Sequence, residues 1–150
     1  MSVKDRLNED MKLAMKEKEA GKTRLSVIRM VRASIKNLEI DQKKDLTEDE
    51  VLDVVAKEVK MRRDSMDEFR KGNRPDLVEA LEQEIAILLK YLPEQLSEEA
   101  VRELVVEAVR DSKATGPKEM GKVMALLMPK VKGRADGKMV NSIVKELLNQ

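Results

Sequence analysis

Apolar residues recur at three- and four-residue intervals along almost the whole chain, a spacing that predicts helices and no sheet. The first helix is expected from about Val3 to Glu19, with Ser2 as N-cap, Asp5 completing a capping-box-like start, and Leu7, Met11, Ala14 and Met15 facing inward. Gly21 punctuates it, and a second helix follows from about Thr23 to Ile40 on the stripe Leu25, Ile28, Val31, Ile35 and Leu38. After a polar loop over 41–45, Thr47 and Glu50 form a capping box, with Leu46 and Val51 as its hydrophobic staple. That signal predicts a helix from Glu48 to about Lys71, stopped by Gly72, with Val51, Val55, Val59, Arg62, Met66 and Phe69 in one seam. Arg62 sits in an otherwise apolar row, either snorkelling to its edge or paired with Glu58 four residues earlier. Pro75 opens a fourth helix carrying Leu77, Leu81, Ile85, Leu88 and Leu92, and the short turn at Gly72, Asn73 and Arg74 makes helices three and four an antiparallel hairpin.

A second unit begins where Pro93 ends this pattern. Ser97 caps a fifth helix with Val101, Leu104, Val105, Ala108 and Val109 inward, and Leu96 can staple to Val101. Pro117 opens a sixth helix with Met120, Val123, Met124 and Leu127 inward, and Pro129 is expected to stop it. Asp136 is the expected N-cap of a seventh helix bearing Val140, Ile143, Val144 and Leu147. The expectation is an all-α protein with a four-helix N-terminal domain over 1–95 and a three-helix domain over 96–150. The second is near the lower size limit for a core held by neither metal nor disulfide.

Composition removes much of the functional menu. The 150 residues include no Cys, no His and no Trp, and the aromatics are Phe69 and Tyr91 alone. Zinc fingers, a haem axial histidine, a thiolate nucleophile and a Ser-His-Asp triad are therefore excluded, and only an all-carboxylate metal site stays open. Ser26, Ser34, Ser65, Ser112 and Ser142 have no histidine base, and no Walker or G-x-G-x-x-G motif occurs. Glu79, Glu82 and Glu84 are expected to pair with the basic second helix rather than to bind metal. The methionines of helix six, Met120, Met124 and Met128, suit a plastic core or a binding groove. No cofactor and no catalytic residue is expected. The longest uncharged run is Val123 to Pro129, too short to span a membrane, and the charged N-terminus lacks the apolar segment of a signal peptide. The expected location is the cytoplasm.

The net charge of +1 hides an uneven distribution. Residues 1–40 carry ten basic and six acidic side chains, residues 41–96 ten and fifteen, and residues 97–150 ten and eight. Lys22, Arg24, Arg29, Arg32 and Lys36 lie in a stretch without any acid, and the segment 113–138 sets seven basic residues against Glu119 and Asp136. Such stretches are either solvated faces or phosphate-binding surfaces. The loop Gly133-Arg134-Ala135-Asp136-Gly137-Lys138 has a superficial likeness to a phosphate loop, in which amides near Gly137 could hold an anion; a simple turn and cap is the alternative. Few aromatics argue against base stacking and for a folded RNA read by shape and backbone.

Several segments together resemble one family. They are Arg24-Leu25-Ser26-Val27-Ile28-Arg29-Met30, Lys60-Met61-Arg62-Arg63-Asp64-Ser65, Gly72-Asn73-Arg74-Pro75-Asp76-Leu77, Tyr91-Leu92-Pro93 after Glu84, Met120-Gly121-Lys122-Val123-Met124, and Gly133 to Gly137. In order and spacing they resemble the GatB/YqeY family over nearly the whole chain. The resemblance implies an N-terminal helical part and a C-terminal part similar to the tail of the B subunit of glutamine-dependent aminoacyl-tRNA amidotransferases, a tail that helps hold tRNA. The family carries a carbon–nitrogen ligase label, but this chain shows neither the amidase signature nor a kinase domain. What is implied is a non-catalytic tRNA-binding accessory module linked to amidotransferase or synthetase action; the alternative is a protein adaptor docking on such an enzyme without touching RNA. Carried onto this sequence, the tRNA contacts are Lys122, Arg134 and Lys138, with Lys130 and Lys132 adding charge. Gly121 is otherwise read as permitting close helix packing. Arg24, Arg29 and Arg32, with Arg62 and Arg63, form a second basic surface or pair with the acid excess of helices three and four, and pairing is favoured. The expected partners are tRNA and an aminoacyl-tRNA synthetase or amidotransferase.

Overall fold

The computed structural model describes residues 1–149. The chain is all-α, and among the described residues there is no strand: α1 (Val3–Lys16), α2 (Lys22–Gln42), α3 (Glu48–Lys71), α4 (Pro75–Leu89), α5 (Glu98–Ser112), α6 (Met120–Val131) and α7 (Gly137–Leu148). Short 3₁₀ turns stand at Lys18–Gly21 and Pro117–Glu119. The contacts divide the chain into two compact units, Met1–Leu92 and a second starting at Pro93. Glu94 and Gln95 fall in the second because the Gln95 amide donates to the Gly133 carbonyl at 2.8 Å and Arg134 Nε donates to the Glu94 carbonyl at 3.3 Å.

Local signals place most of the helix starts. Both capping boxes form, Ser2 with Asp5 and Thr47 with Glu50, and the Ser97 hydroxyl accepts from the Ala100 amide. α3 and α4 pack along one another across the 72–74 turn as an antiparallel hairpin. The core of the first unit gathers Val3, Leu7, Ile28, Val31, Val55, Val59 and Leu88 among others; that of the second gathers Val101, Val105, Val123, Leu127, Ile143 and Val144. The two clusters share no residue.

Several boundaries and faces differ from expectation. α1 ends at Lys16, three residues early, and Lys18 adopts a left-handed conformation (φ 54°). The early stop brings the chain back so closely that a Cβ on Gly21 would lie 2.3 Å from the Ala14 carbonyl oxygen, so only glycine fits there. Met15, placed inward by spacing, is half exposed, and Ala14 alone of that pair is buried. α2 runs on to Gln42, through the start of the expected loop, until left-handed Lys43 (φ 55°) caps it. Val27 replaces Leu25 in its core face, Phe69 is only partly buried, and Leu148 rather than Leu147 closes α7.

Pro129 lies inside α6 instead of ending it. The amide it lacks would have served the carbonyl of Ala125, which is exposed, so water can take that acceptor. The helix goes on one turn because Val131 is buried in the core and the Lys132 amide still reaches the Met128 carbonyl at 2.9 Å. Gly121 does not mark a close helix contact, since nothing lies within 4 Å of the position its Cβ would occupy.

Glu82 and Glu84 of α4 pair with α3, not with α2. Glu84 accepts from Arg62 Nε at 3.1 Å, and Glu82 lies 3.8 Å from Arg70. Arg62 is buried, and its Nη1 also donates to Glu58 Oε2 at 2.7 Å and to the Glu58 carbonyl at 3.1 Å. The Ser34 hydroxyl donates to the other Glu58 oxygen at 3.0 Å, so the network joins α2, α3 and α4.

The end of the first unit is held by its one tyrosine. Tyr91 is 4% exposed, its hydroxyl donates to Asp10, and the Arg6 guanidinium stands 5.0 Å from the ring centroid while donating to the Lys90 carbonyl at 2.7 Å. Burial, and then the hydrogen bond to Asp10, push the phenol above its ordinary value of 10.0. Because the folded state favours the neutral phenol, its contribution to stability is complete below pH 10.0 and is lost as pH rises through the folded-state value. With no Trp and a single Tyr in the chain, ultraviolet difference absorbance reads this group alone. The expected result is phenolate formation above the free-tyrosine range in the native protein and within that range in urea; equal midpoints would remove the Asp10 contact from the account.

Candidate nucleic-acid interface

In the second unit the basic residues gather at the loop between α6 and α7. Gly133 takes a positive φ of 73°, which lets the chain reverse directly after Lys132. The loop is pinned by the Leu96 amide donating to the Arg134 carbonyl at 2.8 Å and by the Gln95 contact to Gly133. Asp136 caps α7, its carboxylate accepting from the Lys138 amide at 3.1 Å. Lys132 and Lys138 are exposed and Arg134 is partly so, and all three stand within seven residues of this turn.

The amide cradle suggested by the Gly133 to Lys138 sequence is not open. Asp136 Oδ1 takes the Lys138 amide, and its negative charge stands where an anion would sit. The segment is a turn and cap whose side chains, not its amides, face outward chemistry.

Lys122 and Lys130 do not join this group. Lys130 lies 3.4 Å from Glu107 of α5, and Lys122, at the start of α6, lies 3.7 Å from Glu119. Eight residues separate them, about 12 Å along the helix axis and about 80° around it. Beside the loop, α6 and α7 leave an apolar groove of about 290 Å³ lined by Met124, Met128, Val131 and Val140, with Lys132 at its edge. Leu126 and Met128 are 44% and 42% exposed, so the methionines of α6 divide between core and surface.

In the first unit the basic stretch splits. Arg24 pairs with Glu17 of α1 at 3.0 Å, and Arg62 is consumed by the buried network. Arg29 and Arg32 are exposed and line a groove of about 520 Å³ between α1 and α2, floored by Leu7 and Ile35. Lys36 and Lys4 line it too, although the sequence reading named neither as a contact. Lys36 could have been found, one α-helical face and seven residues from Arg29; Lys4 could not, because nothing local links it to α2. Lys4 is tied to Glu39, which also accepts from the Leu46 amide at 2.8 Å. The Lys4 hydrogen bond, then that amide, hold the Glu39 carboxyl below the usual range.

Two helical units, the second built on three short helices with a pinned basic turn, define a class of small all-α protein. Residues 4–148 match the family described as Yqey-like protein, and the chain belongs to that family. Over 149 residues it is 32% identical to altered inheritance of mitochondria protein 41, mitochondrial, of Pyrenophora tritici-repentis, covering 97% of this chain and 81% of that one. The protein of the same name from Kluyveromyces lactis is 44% identical over 115 residues, covering 74% of this chain and 60% of its own. That from Lachancea thermotolerans is 46% identical over 87 residues, covering 57% and 46%. The matched segment thus spans 60% or less of the two yeast proteins. Those relatives are named as mitochondrial. Among the described residues of this chain, no helix is long and apolar enough to cross a membrane.

Proposed function

We propose that the chain is a cytoplasmic, non-catalytic tRNA-binding accessory module linked to glutamine-dependent tRNA amidation or aminoacyl-tRNA synthesis. The observation that carries the reading is the pinned turn after α6, which presents Lys132, Arg134 and Lys138 together while its one acid, Asp136, is committed to capping α7. Side chains of this kind contact phosphate without reading bases, so affinity is electrostatic and weakly sequence-specific. The family resemblance in the second unit supports tRNA as the RNA concerned.

Fluorescence anisotropy of labelled tRNA, and of a duplex RNA of equal charge, at two salt concentrations tests this. Binding should favour tRNA and weaken with salt, and each lost contact should flatten the slope of log K against log[salt] by roughly 0.9. The variant K132E/R134E/K138E should lose binding, whereas Lys122→Glu, away from the turn, should cost much less. Full affinity in a folded triple variant removes the turn from the interface. A wild-type protein that binds no RNA even at low salt favours the adaptor reading, which the Met124 and Met128 groove beside exposed Leu126 supports.

A further inference from the structure

The first unit carries a cationic groove that the proposed tRNA contact in the second unit does not use. Its walls bring Lys4 of α1 together with Arg29, Arg32 and Lys36 of α2, against Glu39 as the only acid among its lining residues. Several other arginines are neutralised: Arg24 by Glu17, Arg62 by Glu58 and Glu84, Arg74 by Asp76, Arg102 by Glu98 and Glu146. None of the ion pairs found among the described residues includes Arg29, Arg32 or Lys36. The Arg32 guanidinium instead donates to the Met11 sulfur at 2.9 Å, a weak acceptor that leaves its charge unmatched. Glu39 adds no free charge, because Lys4 and the Leu46 amide hold it.

The three α2 cations are spaced about one turn apart, so Arg29 and Lys36 stand about 10 Å apart along the axis. They form a row rather than a ring. A row suits successive phosphates on a strand, whereas a single compact anion needs donors that converge on one point. No aromatic lines the groove, so bases have nothing to stack on. We propose that this α1/α2 groove is a second RNA-binding surface, engaging the phosphodiester backbone through Arg29, Arg32 and Lys36, while Lys4 holds Glu39. This rests on the reading of the protein as an RNA binder, and adds that the first unit supplies phosphate contacts of its own.

The test uses the full chain and labelled tRNA, with three triple variants. R29Q/R32Q/K36Q removes the row. K57Q/K60Q/K71Q removes equal charge from the exposed side of α3. K132E/R134E/K138E disables the turn in the second unit. All nine positions are at the surface, and unchanged helical circular dichroism and melting temperature verify folding. The expected result is an affinity loss of at least tenfold for the groove variant, with the salt slope flattened by roughly two to three contacts, and a loss of less than about threefold for the α3 control. Equal losses for the groove and α3 variants would mean that only net charge matters, and the proposal fails. Loss confined to the second-unit variant also overturns it, while leaving the proposed function intact. Loss confined to the groove variant upholds the groove and removes the turn. Tripolyphosphate displacing no RNA at concentrations matching the phosphate content agrees with a strand site; stoichiometric binding of tripolyphosphate to the groove, with RNA affinity unaffected by R29Q/R32Q/K36Q, overturns it.

Discussion

Arg62→Ala is expected to destabilise the first unit by about 3–5 kcal/mol, the usual cost of stranding a buried charge. Arg62 is 6% exposed and Glu58 8%, so both charges have little water to fall back on. The guanidinium donates to Glu58 and Glu84, and Glu58 is otherwise satisfied only by the Ser34 hydroxyl and whatever solvent its edge admits. Without Arg62 the two carboxylates of α3 and α4 face one another across a cavity. Arg62→Lys should recover only part of the loss, because an ammonium cannot reproduce the planar fork that reaches both glutamates. Urea unfolding followed by far-ultraviolet circular dichroism measures each change. The loss should persist at high salt, since buried pairs are screened little. Replacing Arg62, Glu58 and Glu84 together with apolar residues of similar size should restore most of the stability, because the desolvation cost leaves with the charges. A loss below about 1 kcal/mol for Arg62→Ala, in the range of surface pairs, would show that the network is effectively solvated.

Leu127→Ala should cost about 2–5 kcal/mol and act on the second unit alone. Leu127 is 0% exposed and packs with Val123, Val101, Val105 and Val144 in a cluster that shares nothing with the first core. A unit of this size buries little surface, so a deficit of that magnitude is comparable to its whole stability. The expected outcome is an early thermal transition in far-ultraviolet circular dichroism with no matching change in tyrosine absorbance. Both aromatic residues, Phe69 and Tyr91, belong to the first unit, which makes the second visible only through its helical backbone. Coincident transitions by both probes would mean that the units unfold as one. At temperatures between the two transitions, the proposed RNA contacts of Lys132, Arg134 and Lys138 should be lost while those proposed for the α1/α2 groove persist.

Helix starts were the most legible part of the fold. Ser2, Thr47, Ser97 and Asp136 act as caps where the pattern placed them, because a cap needs only its own residue and the next three amides. Helix ends were less so. α1 stops early at a left-handed Lys18, and α6 passes through Pro129, since burial of Ala14 and Val131 outweighs the local signals at each place. The basic turn could be read from composition, but not the hydrogen bond by which Gln95 reaches across 38 residues to Gly133. The groove in the first unit was half visible: α2 showed its row of cations, and only packing against α1 added Lys4 and tied up Glu39.

What the sequence by itself determined is the all-α class and the seven helices seen among the described residues. Those follow from periodicity and capping, which act over a few residues, and from the near-absence of aromatics, which acts over the whole composition at once. Only the tertiary structure decided which cations are neutralised and which remain available. Arg24 and Arg62 look like Arg29 and Arg32 in the chain, yet the first two meet carboxylates from other parts of the fold and the second two do not. The pair of Arg62 with Glu58, four residues apart, was open to the sequence, but the reach of Arg62 to Glu84, 22 residues on, was not, because charge pairing acts over a few ångströms and periodicity carries no record of distant neighbours.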